Sequence, residues 1–252
     1  MSVNFPVLRT KRLTIQLKEL TISESIALAK IPPHLEQVAV TQFLKYSIES
    51  AGEHTDVTAW TVSERVLAVC HYLSCVVDDA PNFKVGENGS YMDYLNGEKD
   101  IKTTDTLIDL GDLGGDFWQI RHLTGWAAET IERLDGELNG ITGRLHWLLG
   151  SMAAQLVRKG EECPTNFDED WLLARMNVMA NLSESDFITL SFMHQTGIEK
   201  LTHLFSIDFD DAGVLVLPAD KEADLPPARF RVYAVISGFA HRMGSQPQQP
   251  SE

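Results

Sequence analysis

A chain of 252 residues, 44% hydrophobic and 23% charged, has an ordinary globular composition and the length for one large domain or two small ones. A net charge of −15 argues against a nucleic-acid ligand, which needs clustered Lys and Arg, and no run of about 18 apolar residues exists to span a membrane. Three irregularly spaced cysteines, Cys70, Cys75 and Cys163, make no disulfide framework and fit a reducing compartment, and the N-terminus lacks the apolar segment of a secretory signal.

The charge is uneven along the chain. Residues 1–20 carry Arg9, Lys11, Arg12 and Lys18 against Glu19 alone, a net +3, while the remainder sums to −18. Within 7–20, Leu13, Ile15 and Leu17 alternate with Thr14, Gln16 and Lys18, the period of a half-buried strand, and Thr10-Lys11 is placed to turn between two short strands. Thr21-Ile-Ser-Glu24 has the form of a capping box and predicts a helix over about 23–30, stopped by Pro32 and Pro33. A second helix is expected over 34–50, with Val38, Phe43, Leu44 and Ile48 inward. After a polar break at 52–56, Thr61-Val-Ser-Glu64 repeats the capping box before a helix over 62–78. That helix is apolar nearly all round and so is the expected central one.

Glycine, proline and aspartate punctuate 79–116, which reads as an irregular insertion holding the aromatic patch Tyr91 to Leu95. Residues 117–158 read as a helical hairpin turning at Asn139-Gly140, followed by helices at about 168–182 and 184–203. Residues 204–218 read as strand, turn, strand, with Asp210 to Gly213 at the turn. Residues 229–240 fit a last strand or a short helix, and the Ser/Gln/Pro-rich tail is expected to be disordered. The fold class expected is mainly α (α+β): a helical body with an N-terminal β-hairpin arm and a C-terminal β hairpin. The divisions are 1–55 for the arm and short helices, 56–242 for the body, and 243–252 for the tail.

Motifs that would carry catalysis or a metal do not emerge. The eight histidines, at 34, 54, 71, 122, 146, 194, 203 and 241, stand singly, without the spacing that puts two ligands on one face. Asp208, Asp210 and Asp211 lack the closing Glu of a calcium loop and suit a turn. Gly111 to Asp116 lacks the Lys-Ser/Thr ending of a phosphate cradle, and its two aspartates would repel phosphate. Cys70 and His71 are adjacent on a helix and point about 100° apart, a poor nucleophile and base. The five tryptophans, at 60, 118, 126, 147 and 171, are read as helix-borne core anchors. No cofactor and no metal are expected.

The opening FPVLRTKRLTIQLKELTISESIALAKIP, the run WTVSER followed by Tyr72-Leu73, then DDAPNFKVG and YMDYL, resemble tail and baseplate proteins of tailed bacteriophages in style over roughly the first 160 residues. The resemblance implies a non-enzymatic structural or assembly component, located in the virion tail and in the host cytoplasm during assembly. Its partners would be other tail and baseplate proteins, in an oligomer, with no nucleic acid and no membrane. The length favours a structural component over a small assembly chaperone. On this reading the arm adds strands to, or embraces, a neighbouring subunit. Arg9, Lys11, Arg12 and Lys18 would meet an acidic surface. Leu13, Ile15 and Leu17 would supply apolar contact, and Tyr91 and Tyr94 in the loop 83–97 a second contact. Deleting residues 1–20 would then leave a folded body. Two other classes remain: a metal-dependent hydrolase with a composite His/Asp site, and a host-directed regulatory binding protein.

Overall fold

The computed structural model describes residues 3–77, 79–138, 140–166 and 168–236. Strands β1 (Leu8–Arg9) and β2 (Thr14–Leu17) pair antiparallel, Leu8 opposite Ile15 and Arg9 opposite Thr14. Thr10 organises the turn: its N–H donates to Leu13 O at 2.9 Å, and its hydroxyl accepts from the N–H groups of Arg12 and Leu13. Helix α1 (Ile22–Ala29) opens on the expected capping box, with Thr21 and Glu24 each satisfying the other's backbone N–H. Helix α2 (Glu36–Ser47) ends earlier than its pattern predicts, because 48–50 form β3 (Ile48–Ser50) on the open edge of β2. Phe43 and Leu44 are fully buried, whereas Val38 and Ile48 are only partly covered. Helix α3 (Val62–Val76) follows the second capping box.

The expected irregular insertion is irregular over most of its length but carries short β strands. It holds the small hairpin of β4 (Lys84–Val85) and β5 (Gly89–Ser90), then β6 (Ile108–Leu113), which pairs with β7 (Asp116–Ile120). Gly114 and Gly115 make the second turn with φ of 65° and 89°, a geometry that glycine adopts without steric cost. Trp118 and Ile120 therefore lie on a strand, and the helical hairpin begins later, with α4 (Gly125–Arg133) and α5 (Gly143–Gln155). Of its predicted turn, Asn139 lies outside the described residues. β8 (Leu156–Arg158) returns to pair with β7. Helices α6 (Glu169–Ala180) and α7 (Glu184–Lys200) follow, then the antiparallel hairpin of β9 (Ser206–Asp210) and β10 (Gly213–Leu217). Residues 229–231 form neither helix nor strand and 232–236 are helical; 237–240 and the tail 243–252 lie outside the described residues.

The molecule is thus an α+β mixture of helices and small antiparallel sheets. It has two apolar cores. One gathers Leu13, Ile15, Leu17, Phe43 and Leu44 with Ala68, Val69 and Leu73 of α3 and with Phe205 and Phe230. The other gathers β7 with α4, α5 and α6. Val62 belongs to the second core and Val66 touches both, so α3 is the shared wall. No break follows residue 55, because residues on both sides of it fill the first core. Among the described residues, no helix is long and apolar enough to cross a membrane.

Candidate functional site

The strand pair was expected to offer its side chains to a partner, and most of them turn inward instead. Leu13, Ile15 and Leu17 are at most 2% exposed, within the chain's own core. Arg12 lies over the first turn of α3, where its Nε and Nη2 donate to the two oxygens of Glu64 at 2.7 and 2.5 Å. This is the bidentate fork that matches a guanidinium to a carboxylate. Lys11 reaches Asp100: its N–H donates to Oδ2 at 2.6 Å and its Nζ to the backbone O at 2.9 Å. Arg9 and Lys18 remain exposed.

Tyr91 and Tyr94 are interior as well. Tyr91 stacks on Phe83 at 5.3 Å, and Tyr94 is fully buried with its hydroxyl donating to Pro226 O at 2.7 Å. Both rings meet Phe230 edge-on. The loop aromatics close the first core from outside, so neither ring offers the contact expected of it. The reason is the segment near Phe230, which is distant in sequence and supplies the other half of the aromatic cluster.

Around Glu64 the fold assembles a buried charge centre. Glu64, fully buried, also accepts from Thr61 N–H at 2.9 Å. His203 Nε2 stands 3.6 Å from Glu64 Oε1, while its Nδ1 donates to Lys99 O at 3.2 Å and lies 3.9 Å from Asp100 Oδ1. His54 Nδ1 accepts from Arg12 at 3.3 Å. The His122 ring meets that of His203 edge-on at 6.1 Å. Burial would raise the Glu64 carboxyl, but the hydrogen bonds and charge of Arg12, the neighbouring His203 and the Thr61 N–H together hold it at about 2. Burial first, then the neighbouring His203, pushes His122 down to about 4, against the pull of Glu64. Leu204 follows His203 with φ of 61°, a left-handed conformation that costs a non-glycine residue roughly 1–2 kcal/mol. A cavity of about 50 Å³ borders the centre, lined in part by Ser63, His122, Gln155, Thr202 and His203.

One residue further along α3, Arg65 forms a second centre on another face. It is 1% exposed, and its Nη2 donates to Gln37 O at 2.6 Å and Thr41 Oγ1 at 2.7 Å. Glu129 stands 3.6 Å away and also accepts from the Thr41 hydroxyl. Gly125 makes room, because a Cβ there would come within 2.0 Å of Arg65 Nη1. Glu132 accepts from Gln37 N–H at 2.9 Å and Val38 N–H at 3.1 Å, capping α2, whose own N-cap Leu35 has no side-chain bond. Burial pushes the Glu132 carboxyl up to about 7, and Glu36 adds to this against those N–H groups and Arg65. Burial lowers Arg65 to about 10, opposed by Glu129 and Glu132.

The other described histidines occupy separate places, and His241 lies outside the described residues. His146 Nε2 donates to Ile131 O at 2.6 Å, and His194, pushed down to about 3 by burial, bonds Gln155. Among the described residues, no group of three or more His, Cys, Asp or Glu stands as a metal ion would need. Asp210 pairs with Arg229, and Asp211 accepts from Arg144 N–H at 2.9 Å, so these turn aspartates serve the hairpin. Four of the five tryptophans are buried and Trp171 is half-buried.

A different feature of the surface stands out. Helix α7 exposes Phe192 at 73% and Ile188 at 60%, one turn apart, and α1 exposes Ile22 at 57% and Ile26 at 52% at the same spacing. No family model, curated protein or solved structure matches the chain.

Proposed function

We propose that this chain is a non-enzymatic structural or assembly component of a bacteriophage tail or baseplate, and that it works through protein–protein contacts. The virion resemblance of the first 160 residues supplies the setting. The observation that carries the contact reading is the apolar pair Ile188 and Phe192 on the open side of α7. Single exposed apolar residues are ordinary, but large ones stacked one turn apart mark surfaces that another protein covers. The charged groups of the interior support the same reading, since Arg12, Glu64, Arg65, Glu129 and Glu132 are engaged with one another or with backbone.

Two measurements test this reading. Antibody detection in purified particles and in tail-assembly intermediates is expected to find the chain in at least one of them. Replacing Phe192 by Ser is expected to lower that incorporation while leaving the circular dichroism spectrum unchanged. Absence from both fractions, with no tail protein co-eluting with the purified chain, would overturn the proposal.

A further inference from the structure

A cavity of about 220 Å³ opens beside β8 and α6, at the rim of the second core. Its apolar lining includes Trp118 on β7 and Trp171, Ala174 and Val178 on α6. Its polar lining is Arg158 on β8, Arg175 on α6 and Glu161. Planar groups dominate these walls. The Arg175 guanidinium lies over the Trp171 ring at 4.9 Å, and that of Arg158 over the Trp118 ring at 5.3 Å. A dry apolar cavity of about 150 Å³ admits one benzene ring, so this one has room for a ring that carries a small polar group.

The region is short of hydrogen-bond acceptors. Trp118 is 5% exposed, and its buried indole N–H has no acceptor among the described residues. Arg121, whose guanidinium also lies over Trp171 at 5.9 Å, keeps a buried Nη2 in the same state. Unpaired buried N–H groups are costly and call for an acceptor. The acid that lines the cavity is already engaged: Glu161 accepts from Arg175 Nη1 on one oxygen and from the Arg158 N–H at 2.8 Å on the other. Arg175 gives its remaining donors to Ala153 O and Leu156 O, so it is a fixed wall. Arg158 is different. Its Nε stands 2.9 Å from Asp116, and both side chains are half-exposed, so the pair holds weakly and leaves the guanidinium able to take a second anion. Glu162, Asp168, Glu169 and Asp170 are near in sequence and exposed, but they do not line the cavity.

We infer that this cavity binds a small aromatic carboxylate, its ring against the indoles of Trp118 and Trp171 and its carboxylate on the guanidinium of Arg158. Each part of the ligand answers a wall. A flat apolar body suits the indoles, and two carboxylate oxygens match a guanidinium fork and supply the acceptors that the region lacks. A cationic ring compound is disfavoured, because two guanidiniums already lie over the indoles that would attract it. This binding needs no partner protein, so it stands apart from the assembly reading and does not fall with it.

The test follows tryptophan fluorescence and calorimetry while the full chain is titrated with benzoate, benzyl alcohol and benzylamine. Benzoate is expected to saturate with a Kd on the order of 1 mM, and the neutral and cationic compounds to bind at least about tenfold more weakly. Two variants at exposed positions locate the site, with circular dichroism to verify folding. Arg158→Gln removes the charge and keeps the length of the side chain, and it should weaken benzoate at least about tenfold. Ala174→Trp fills the cavity and should abolish binding. A wild-type chain that benzoate does not saturate overturns the proposal. So do equal affinities for benzoate and either of the other two compounds, which would leave the Arg158 contact without a role. A folded Ala174→Trp chain that binds benzoate as the wild type does would place the binding elsewhere and overturn it as well.

Discussion

Glu64 on α3 and Glu132 on α4 are both buried glutamates, and their carboxyls shift in opposite directions, to about 2 and to about 7. Burial pushes both upward. What separates them is the company each keeps. Glu64 receives the two-pronged fork of Arg12, a full positive charge at hydrogen-bond distance. Glu132 receives only backbone N–H groups, and the nearby Arg65 donates to Gln37 O and Thr41 instead. The comparison teaches that burial depth does not set the state of an interior carboxylate here; the geometry of the nearest guanidinium does.

The strongest way to break the comparison is to remove one partner wholesale. Deleting residues 1–20 strips Arg12 from Glu64 and also takes Phe5, Leu13, Ile15 and Leu17 out of the first core. Four buried apolar side chains are worth roughly 1.5–3 kcal/mol each, which is comparable to the whole stability of a domain, about 5–15 kcal/mol. Thermal melts followed by circular dichroism should show loss of the cooperative transition. A truncated chain with a sharp melt near that of the full one would restore the view of the strand pair as a separable arm.

A narrower cut removes only the fork. Arg12→Ala leaves Glu64 buried without its main counter-charge and should cost about 3–5 kcal/mol, read as a lower urea midpoint with unchanged slope. The double variant Arg12→Met with Glu64→Leu should recover most of that loss, since an apolar pair of similar volume tolerates burial. If the double variant were as unstable as the single one, the pair would be needed for more than neutralising its own charge.

Titration sharpens the contrast without removing any side chain from the core. The Glu64 carboxyl is held below its unfolded value, so its contribution is present above about pH 4.5 and is lost as pH falls through 2. His122 is held low, so the fold favours its neutral form; that contribution is present above about pH 6.5 and is lost as pH falls through 4. The raised Glu132 works the other way: its contribution is present below about pH 4.5 and is lost as pH rises through 7, a change of roughly 3 kcal/mol. Glu132→Gln should therefore flatten the stability curve between pH 4.5 and 7 and leave the acid limb alone. An unchanged curve would mean that the N–H groups of α2 keep Glu132 ionised throughout.

Much of this was legible in the sequence, and the boundary is instructive. Both capping boxes, the alternation in the first strands and the hairpin after residue 204 are local patterns, and the fold keeps them all. The 108–120 hairpin escaped because Gly111, Gly114 and Gly115 interrupt its apolar alternation, and glycine in a pattern reads as loop. β3 and β8 escaped because three residues at a helix end carry too little periodicity to mark a strand. Glu64 was visible as a cap and Arg12 as part of a basic cluster, but their pairing spans 52 residues and has no local trace. A charged pair, Glu64-Arg65, inside a helix otherwise apolar was the available signal, since such a pair must find partners when it is buried. Tyr91 and Tyr94 were misplaced for the same reason, because Phe230 and Pro226 lie more than a hundred residues away.

The two capping boxes give the finest version of the contrast, since they share one chemistry in two settings. Thr21 is exposed, whereas Thr61 is 2% exposed and its box partner is Glu64 itself. Removing the hydroxyl frees one N–H in each case. At Thr21 water can take its place, so Thr21→Ala should cost about 0.5 kcal/mol, the low end for a cap. At Thr61 water has little access, and the amide of Glu64 loses its acceptor in the interior. Thr61→Ala should therefore cost about 2 kcal/mol, with Thr61→Ser restoring most of it. Equal losses at the two sites in urea melts would show that the Glu64 centre draws nothing from the cap beneath it. An excess at Thr61 that disappears in an Arg12→Ala background would show that cap and fork act as one unit.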